Sequence, residues 1–155
     1  MTDERYLIFS LNREPYAIGL SSVKEVIAFK ATTPMPHSPA HFKGIISLRD
    51  QIIPILDLRM KLKLAKAEIG AETSILILEF GSVCIGAIVD SVDSVTTIPS
   101  AQIEPAPALP PNQKNEFLGG VAKTDDKLIL ILDIAAALDV NDLKAVKAGL
   151  ASTAA

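Results

Sequence analysis

Two histidines have the spacing of a metal-ligand pair. His37 and His41 are four residues apart, which on a helix would place both imidazoles on one face, as in many zinc sites. Pro39 lies between them and disfavours that helix, because proline lacks the backbone donor and clashes with the preceding turn. The single cysteine, Cys84, lies in an apolar stretch and is typical of a core residue in a reducing compartment. We therefore predict neither a metal site nor a disulfide.

Four aspartates occupy positions at which acid–base chemistry has to be considered. Asp57 and Asp133 each end an apolar strand and precede a short helix-like run, where a carboxylate normally caps backbone N–H groups. Asp90 and Asp93 follow an apolar strand near a turn, with no histidine or lysine beside them, and are expected to be solvated. The Gly119–Gly120 pair lacks the lysine and hydroxyl side chain of a phosphate-binding loop. We predict no catalytic residue, no cofactor and no enzyme, so that the surface should carry the function.

The charge of the chain argues against nucleic acid as a partner. The net charge is −3 and the sequence pI is about 5.3, whereas nucleic-acid-binding domains usually have a pI above about 9. One basic run, Arg59, Lys61, Lys63 and Lys66, alternates with apolar residues, which predicts a packed connector whose basic side chains face solvent. Residues 1–5 contain no secretory signal, and the apolar runs are far shorter than the roughly 20 residues that cross a bilayer as a helix. We therefore expect a cytoplasmic protein without direct membrane insertion.

Short β-rich runs separated by turn residues recur along the chain and predict an all-β fold. The core must be aliphatic, because 49% of the residues are apolar but only 5% are aromatic. Four hairpins are expected. They are Tyr6 to Leu11 with Tyr16 to Leu20, Ile45 to Leu48 with Ile52 to Leu56, Ser74 to Leu78 with Val83 to Val89, and Val121 to Lys123 with Leu128 to Leu132.

The second half of the chain repeats the first. Gly44 to Leu58 aligns without a gap on Gly120 to Ile134, and Ser22 to Val26 matches Ser91 to Val95 at a different offset. Each half carries about five strands, which is enough to curl into a small barrel with few exposed edges. The repeat therefore predicts two similar barrels side by side.

The predicted domain covers residues 4–140. The first barrel is expected at about 4–66 and the second at about 72–138, and the sequence leaves open whether strands are exchanged between them. Residues 141–155 are predicted to form a C-terminal helix, over Asn141 to Leu150, and a frayed tail.

The most specific pattern is Phe42 to Arg59, FKGIISLRDQIIPILDLR. It resembles the central signature of the CheW family, in which a glycine and a hydrophobic run lead into an Asn-Leu-Arg-Gly turn, and a hydrophobic strand ends in Asp-Leu-Arg. Val23 to Ile27 resembles the family's Val-x-Glu-Ile segment, and Ile85 to Val92 its Gly-hydrophobic-Val-Asp-x-Val strand. The resemblance runs in the family's order from about Tyr6 to Leu138.

Two residues of the turn depart from the family's pattern. Ser47 stands where the family has asparagine, and Asp50 stands where it has glycine. Aspartate tolerates the left-handed conformation better than most residues, so the hairpin is expected to form. The carboxylate next to Arg49 is expected to neutralise part of its charge or to select a receptor with a different charge pattern.

The resemblance implies a non-enzymatic adaptor that couples chemoreceptors to a CheA-type histidine kinase. It implies two five-stranded, SH3-like barrels whose junction receives the helical hairpin tip of a chemoreceptor, and recruitment to membrane receptor arrays through protein partners. Val23 and Glu25 match family positions in receptor contact, and Gly44 and Arg49 match signature positions needed for coupling.

We further expect particular side chains to carry each contact. Val23, Ile52 and Val89 should supply apolar contact with the receptor, while Arg49 and Glu25 should fix the register by charge and hydrogen bonds. The regulatory domain of the kinase is expected to bind the region Ser74 to Asp93, without individual residues assigned.

Two other interpretations stay open. One is a CheW-like paralogue that serves a twitching-motility or other chemosensory array, which the altered turn favours. The other is a small-ligand or metal-binding β-barrel, for which His37, His41 and the groove between the barrels are the candidate site.

Overall fold

A computed structural model of the chain describes residues 4–34, 42–61, 69–80, 83–104, 118–124 and 127–133. Most of these residues lie in strands, which confirms the predicted all-β class. The strands are β1 (Glu4–Leu11), β2 (Glu14–Gly19), β3 (Val23–Ala28), β4 (Phe42–Leu48), β5 (Gln51–Asp57), β6 (Ser74–Phe80), β7 (Val83–Val89), β8 (Ser91–Ile98), β9 (Ile103–Glu104), β10 (Leu118–Thr124) and β11 (Lys127–Leu132). The helical segments are α1 (Leu58–Lys61) and the 3-10 turns Leu20–Ser22 and Ser100–Gln102.

The four hairpins that the sequence predicts are all present, as β1 with β2, β4 with β5, β6 with β7, and β10 with β11. Two of their turns have positive φ at both central residues: Asn12 and Arg13 at 53° and 68°, and Arg49 and Asp50 at 50° and 63°. Such turns match the twist of the flanking strands. Asp50 therefore adopts the left-handed conformation that the sequence requires of it.

The described strands pair into two sheets. Their strand orders are β8-β1-β2-β11-β10-β9 in the six-stranded sheet and β3-β6-β7-β5-β4 in the five-stranded sheet. The hairpin β1–β2 completes the sheet of the second half, and the hairpin β6–β7 completes the sheet of the first half. The ranges 4–66 and 72–138 therefore do not each form one sheet, and the exchange of strands that the sequence left open is the arrangement found.

Both sheets close on themselves in the same way. After β3 the chain continues to Thr33, which exchanges two backbone hydrogen bonds of 2.9 Å with Ile45 on β4. After β8 it continues to β9, where Glu104 pairs with Val121 on β10. One edge strand of each sheet is thereby continued onto the opposite edge strand, and this closure covers the edges as in a small barrel.

The register of the strands confirms the internal repeat. Gly44 opposes Ile55 and Gly120 opposes Ile131, and each glycine lies beside a shift of register in its hairpin. Such a bulge bends the strand and increases its twist. The strand after the turn then lies parallel to the exchanged hairpin in both sheets, as β5 beside β7 and β11 beside β2.

Strand alternation produces three buried clusters, because successive side chains point to opposite faces of a sheet. A central cluster lies between the two sheets and takes side chains from both, among them Leu7, Phe9, Leu56, Leu76 and Ile85. Each sheet also encloses an outer cluster built from its own strands. The shared central cluster makes the two barrels one packed unit.

Some predictions lie outside the described residues. They are the C-terminal helix over Asn141 to Leu150 and the pair His37 and His41. Within the described ranges, no helix is long and apolar enough to cross a membrane.

Candidate functional site

Arg49 and Glu25 form a two-pronged ion pair on the surface. The Nη1 and Nη2 atoms of Arg49 donate to Oε1 and Oε2 of Glu25, each over 3.0 Å. Arg49 lies in the turn after β4 and Glu25 lies on β3, so the pair joins the two edges of the closed five-stranded sheet. The side chain of Arg49 is 74% exposed and that of Glu25 is 21% exposed. The two residues that the sequence assigned to charge recognition are thus in contact with each other.

The ion pair is accessible and contributes little to the stability of the fold. Exposed pairs of this kind typically contribute about 0–1 kcal/mol, because water and salt screen the charges. The guanidinium of Arg49 is held by Glu25 and not by its neighbour Asp50. A partner can therefore exchange these hydrogen bonds for its own at low cost, while the pair holds both groups oriented before docking.

Val23 and Ile52, the residues expected to supply apolar contact, lie on strands of the same sheet as the ion pair. Val23 begins β3 and packs, partly buried, against the central cluster. A bulge between Val23 and Glu25 shifts the pairing of β3 with β6 by one residue, and bulges of this kind redirect side chains at sheet edges. Ile52 is also partly buried and lies on β5, three residues after Arg49. Val23 pairs with Leu78 of the central cluster, whereas Glu25 pairs with Ile77 of the outer cluster, so the bulge leaves the two side chains on opposite faces of the sheet.

Gly44 is required by the backbone at this site. Its φ is +132°, and a Cβ atom there would lie 2.1 Å from the carbonyl oxygen of Thr33 and 2.6 Å from its carbonyl carbon. Thr33 is the residue that closes the five-stranded sheet onto Ile45. Gly44 is itself buried, and its lack of a side chain permits the closure at Thr33.

The prediction that Val89 supplies apolar contact is wrong for this structure. Val89 is 0% exposed and belongs to the central cluster. Its strand is flanked on both sides by other strands, and Val89 points into the layer between the sheets. β7 is apolar at every position, which is typical of a strand covered on both faces, whereas the contact role of Val89 was expected from the family resemblance.

The region Ser74 to Asp93, expected to bind the kinase, is mostly interior. The described side chains from Ile75 to Leu78 and from Cys84 to Val89 are buried. Glu79 and Asp93, near the ends of the region, are exposed. The kinase assignment therefore stays a prediction only for the ends of these strands.

Arg59 is buried, which contradicts the solvated basic run expected from the sequence. Its side chain is 3% exposed and forms a cluster with two carboxylates. Nε donates to Oδ1 of Asp57 over 3.1 Å, Nη2 to Oδ2 of Asp57 over 3.2 Å, and Nη1 to Oδ1 of Asp90 over 3.0 Å. Asp90 is thus paired with a cation, not simply solvated as predicted. The correction follows from α1, which turns Arg59 inward at the end of β5.

Asp57 has the capping role that the sequence predicted. Its Oδ1 atom accepts a hydrogen bond of 3.0 Å from the backbone N–H of Arg59 at the start of α1. Burial by itself lowers the pKa of the Arg59 guanidinium, but the hydrogen bonds and charges of Asp57 and Asp90 outweigh it and raise the pKa above its ordinary value. Arg59 therefore remains protonated, and its removal would leave the buried carboxylate of Asp57 without a cation, at about 3–5 kcal/mol. The signal in the sequence was the spacing of Asp57 and Arg59 around buried Leu58.

The described residues give little support to a metal or small-ligand site. No group of three or more histidine, cysteine, aspartate or glutamate side chains comes together among them to hold a metal ion. An open cleft of about 520 Å³ lies on the six-stranded sheet between the β1–β2 turn and the start of β11. It is lined by charges of both signs, and Leu128 on its wall is 61% exposed. This surface is open and mixed in character.

A family model described as the CheW-like domain matches residues 5–141 of the chain. The chain belongs to the CheW-like family. A curated relative, Chemotaxis protein CheW of Bacillus subtilis, is 32% identical to this CheW-like chain over 138 residues, which are 89% of the chain and 88% of the relative.

The fold of this CheW-like chain agrees with a solved structure. The scaffolding protein TtCheW from Thermoanaerobacter tengcongensis superposes with a TM-score of 0.83 and 34% sequence identity, over 91% of this chain and 96% of that one. A relative with another name, Protein FrzA of Myxococcus xanthus, is 29% identical over 105 residues, which are 68% of the chain and 66% of the relative. Family membership thus extends to proteins that are not named for chemotaxis.

Proposed function

We propose that this protein is a non-enzymatic adaptor that couples chemoreceptors to a CheA-type histidine kinase. The observation that carries the proposal is the exposed Arg49–Glu25 ion pair, whose two residues lie in stretches that resemble motifs of the CheW family. Membership of a family that contains chemotaxis and scaffolding proteins supports it. The protein would act in the cytoplasm and reach receptor arrays through its partners.

The docking face suits a helix more than an extended strand. On the β4 edge of the five-stranded sheet, Ile45 already pairs with Thr33, so a strand could not be added along this edge without breaking that bridge. A helical hairpin could lay apolar side chains against Val23 and Ile52. Arg49 and Glu25 would then set its register through charge-assisted hydrogen bonds.

The kinase would use a second surface. The buried interiors of β6 and β7 leave Glu79 and Asp93 as accessible parts of the region predicted for it. Glu79 lies 3.9 Å from Lys24 of β3, so this end borders the receptor face. Docking of both partners at neighbouring surfaces of one rigid unit would transmit a change in the receptor to the kinase without any reaction in the adaptor.

Substitutions in the ion pair test the proposal. Arg49→Ala and Glu25→Lys should each weaken binding to a receptor fragment by about tenfold or more, which corresponds to about 1.4 kcal/mol. The thermal midpoint should hardly change, because an exposed pair contributes about 0–1 kcal/mol to stability. Co-sedimentation with receptor and kinase, together with kinase output, provides the measurement.

A matched control exists on the other sheet. Lys123 and Glu104 form an exposed pair at 2.9 Å, with side chains 58% and 59% exposed. Lys123→Ala should leave receptor binding and kinase output unchanged. If both substitutions of the Arg49–Glu25 pair also leave them unchanged, the site assignment is wrong, and if either one unfolds the protein, that residue is structural.

A second candidate function is service to a different chemosensory array. The similarity to Protein FrzA and the acidic residue Asp50 in the turn favour it. Pull-down with the receptors and kinases of the same cell distinguishes the two. Asp50→Gly restores the family's usual glycine at this position of the turn, and a gain of binding to chemotaxis receptors in this variant would assign the altered specificity to that carboxylate.

A further inference from the structure

The Arg59 cluster lies where the chain passes between the two sheets. Asp57 ends β5 in the five-stranded sheet, and Arg59 follows in α1. Asp90 lies between β7, which belongs to the five-stranded sheet, and β8, which belongs to the six-stranded sheet. The hydrogen bond from Arg59 to Asp90 therefore joins the end of one sheet to the crossing point between the two.

Asp90 also holds the turn of the exchanged hairpin. Its Oδ2 atom accepts a hydrogen bond of 2.7 Å from the backbone N–H of Asn12, and its own N–H donates to the carbonyl oxygen of Ser10 over 3.1 Å. Both residues belong to the hairpin β1–β2 of the six-stranded sheet or to its turn. One carboxylate thus connects that hairpin to Arg59 on the five-stranded side.

The central cluster alone is poorly suited to fix the angle between the sheets. Its side chains are mainly leucine, isoleucine, valine and alanine, and the hydrophobic effect that packs them has no preferred direction. A guanidinium presents its donors in a rigid planar fork, so its hydrogen bonds accept few orientations. Burial of this fork between Asp57 and Asp90 adds directionality to the contact.

The repeat offers an internal comparison. The register of the strands makes Asp133 the equivalent of Asp57 and Ser21 the equivalent of Asp90. The residue equivalent to Arg59 in the gap-free alignment is Ala135. The six-stranded sheet closes without a corresponding arginine, so closure of this fold does not by itself require one.

We propose that Arg59 is a positioning residue that fixes the relative orientation of the two sheets through Asp90. The consequence for coupling rests on the proposed function. If the receptor binds the five-stranded sheet, Arg59 keeps that sheet in a fixed orientation relative to the six-stranded sheet. A movement of the bound receptor would then reach the bound kinase. Loss of this fixed orientation would leave receptor binding intact while weakening the control of the kinase by the receptor.

Distances between spin labels on the two sheets test whether Arg59 fixes their relative orientation, in the absence of receptor and kinase. The labels are placed at Ala28→Cys on β3 and Thr97→Cys on β8, both exposed, in a chain carrying Cys84→Ala. Arg59→Met should broaden the distance distribution measured by double electron–electron resonance. Arg59→Lys should restore part of the narrow distribution because it keeps the charge, though not the fork.

A control separates positioning from general loss of stability. Ile53→Val removes a methylene from the outer cluster of the five-stranded sheet and should lower the thermal midpoint without broadening the distribution. If Arg59→Met does not fold, Asp90→Asn decides, because its amide oxygen can still accept from Asn12 while the charge is lost. Unchanged distributions in the folded variants, together with a lower midpoint, would make the cluster structural only and overturn the proposal.

Binding assays then test the coupling. Arg59→Met should retain receptor binding within about twofold and lose receptor control of the kinase, whereas Arg49→Ala should lose receptor binding with a narrow distance distribution. A broad distribution with normal kinase control would refute the link to coupling. Failure of Arg49→Ala to affect receptor binding would refute the proposed docking face and leave the spin-label result as a separate finding.

Discussion

The strands of the hairpins β4–β5 and β10–β11 have matching registers but different side chains. Both contain a bulge beside a glycine, both close a sheet through the segment that follows an edge strand, and both lie parallel to a hairpin from the other half. The first carries Arg49 in its turn and is followed by buried Arg59. The sequence has Asp125 and Ala135 at the equivalent positions.

This difference indicates how a duplicated unit can specialise. The features shared by the two hairpins are those that strand pairing requires: register, bulge and closure. The features that differ are side chains that strand pairing does not require. In the first hairpin they include Arg49 of the exposed ion pair, and buried Arg59 follows it. On the proposed function, the residues that carry it belong to one copy of a common framework.

The largest expected difference between the two hairpins is the cost of adding a side chain at the glycine beside each bulge, Gly44 or Gly120. Gly44→Ala places a Cβ 2.1 Å from the Thr33 carbonyl oxygen at a φ of +132°, and should lower the free energy of unfolding by about 3 kcal/mol or more. Gly120→Ala meets the Glu104 carbonyl oxygen at 3.1 Å, and should lower it by about 1 kcal/mol. Chemical denaturation measures both, and equal losses would contradict the difference between the two closures.

The strand that each hairpin packs against provides a second comparison. Ile55 lies beside Gly86 and Ile131 beside Ala17, so the same position holds a glycine in one sheet and an alanine in the other. Gly86→Ala would place its Cβ 2.5 Å from Cδ1 of Ile55 and 2.9 Å from Cγ2 of Ile75. We expect a loss of about 1–3 kcal/mol from overpacking.

The matched variants are Ile55→Val and Ala17→Gly. Ile55→Val removes the nearer contact, so the double variant with Gly86→Ala should be more stable than the sum of the single losses predicts. Ala17→Gly should cost about 1–2 kcal/mol, from the lost methyl group and the more flexible unfolded chain. Additive effects of Gly86→Ala and Ile55→Val in thermal denaturation would show that the two side chains do not compete for space.

The smallest expected effect is a loss of stability at alkaline pH that arises from the six-stranded sheet. Burial raises the pKa of Tyr6 and of Tyr16 above the ordinary value of 10.0, with further contributions from the charges of Glu4 and Glu14. Each tyrosine has a higher pKa in the folded chain than in the unfolded chain, so its protonated form stabilises the fold. This stabilisation is fully present below pH 10.0 and is lost as the pH rises through the folded pKa. Both tyrosines lie in the six-stranded sheet.

Stability above pH 10.0 should therefore fall less in a chain that carries Tyr6→Phe and Tyr16→Phe. Titration of the tyrosinate absorbance, in the folded protein and in denaturant, gives the two pKa values that the argument requires. If the tyrosines titrate at the same pH in the folded protein and in denaturant, the predicted loss of stability at alkaline pH is contradicted.

Local pattern predicted most of the fold and part of the site. The four hairpins and the repeat follow from alternation of apolar residues and from turn residues such as Asp50, which act within a few positions of the chain. Glu25 and Arg49 were identified through the family signature, and the structure brings them together. The burial of Val89 and Arg59 was not predicted, because it depends on strands that are distant in the sequence.

The sequence by itself determined the positions of the four hairpins, that the pattern repeats, and which family the chain resembles. Only the tertiary structure decided that the hairpins β1–β2 and β6–β7 change places, and that Arg59 faces the interior while Arg49 faces solvent. The two halves have nearly the same apolar pattern, so either hairpin satisfies the local requirements of either sheet. The contacts that Asp90 makes with Asn12 and Arg59 across the junction join residues that are distant in the sequence, so no local stretch contains them.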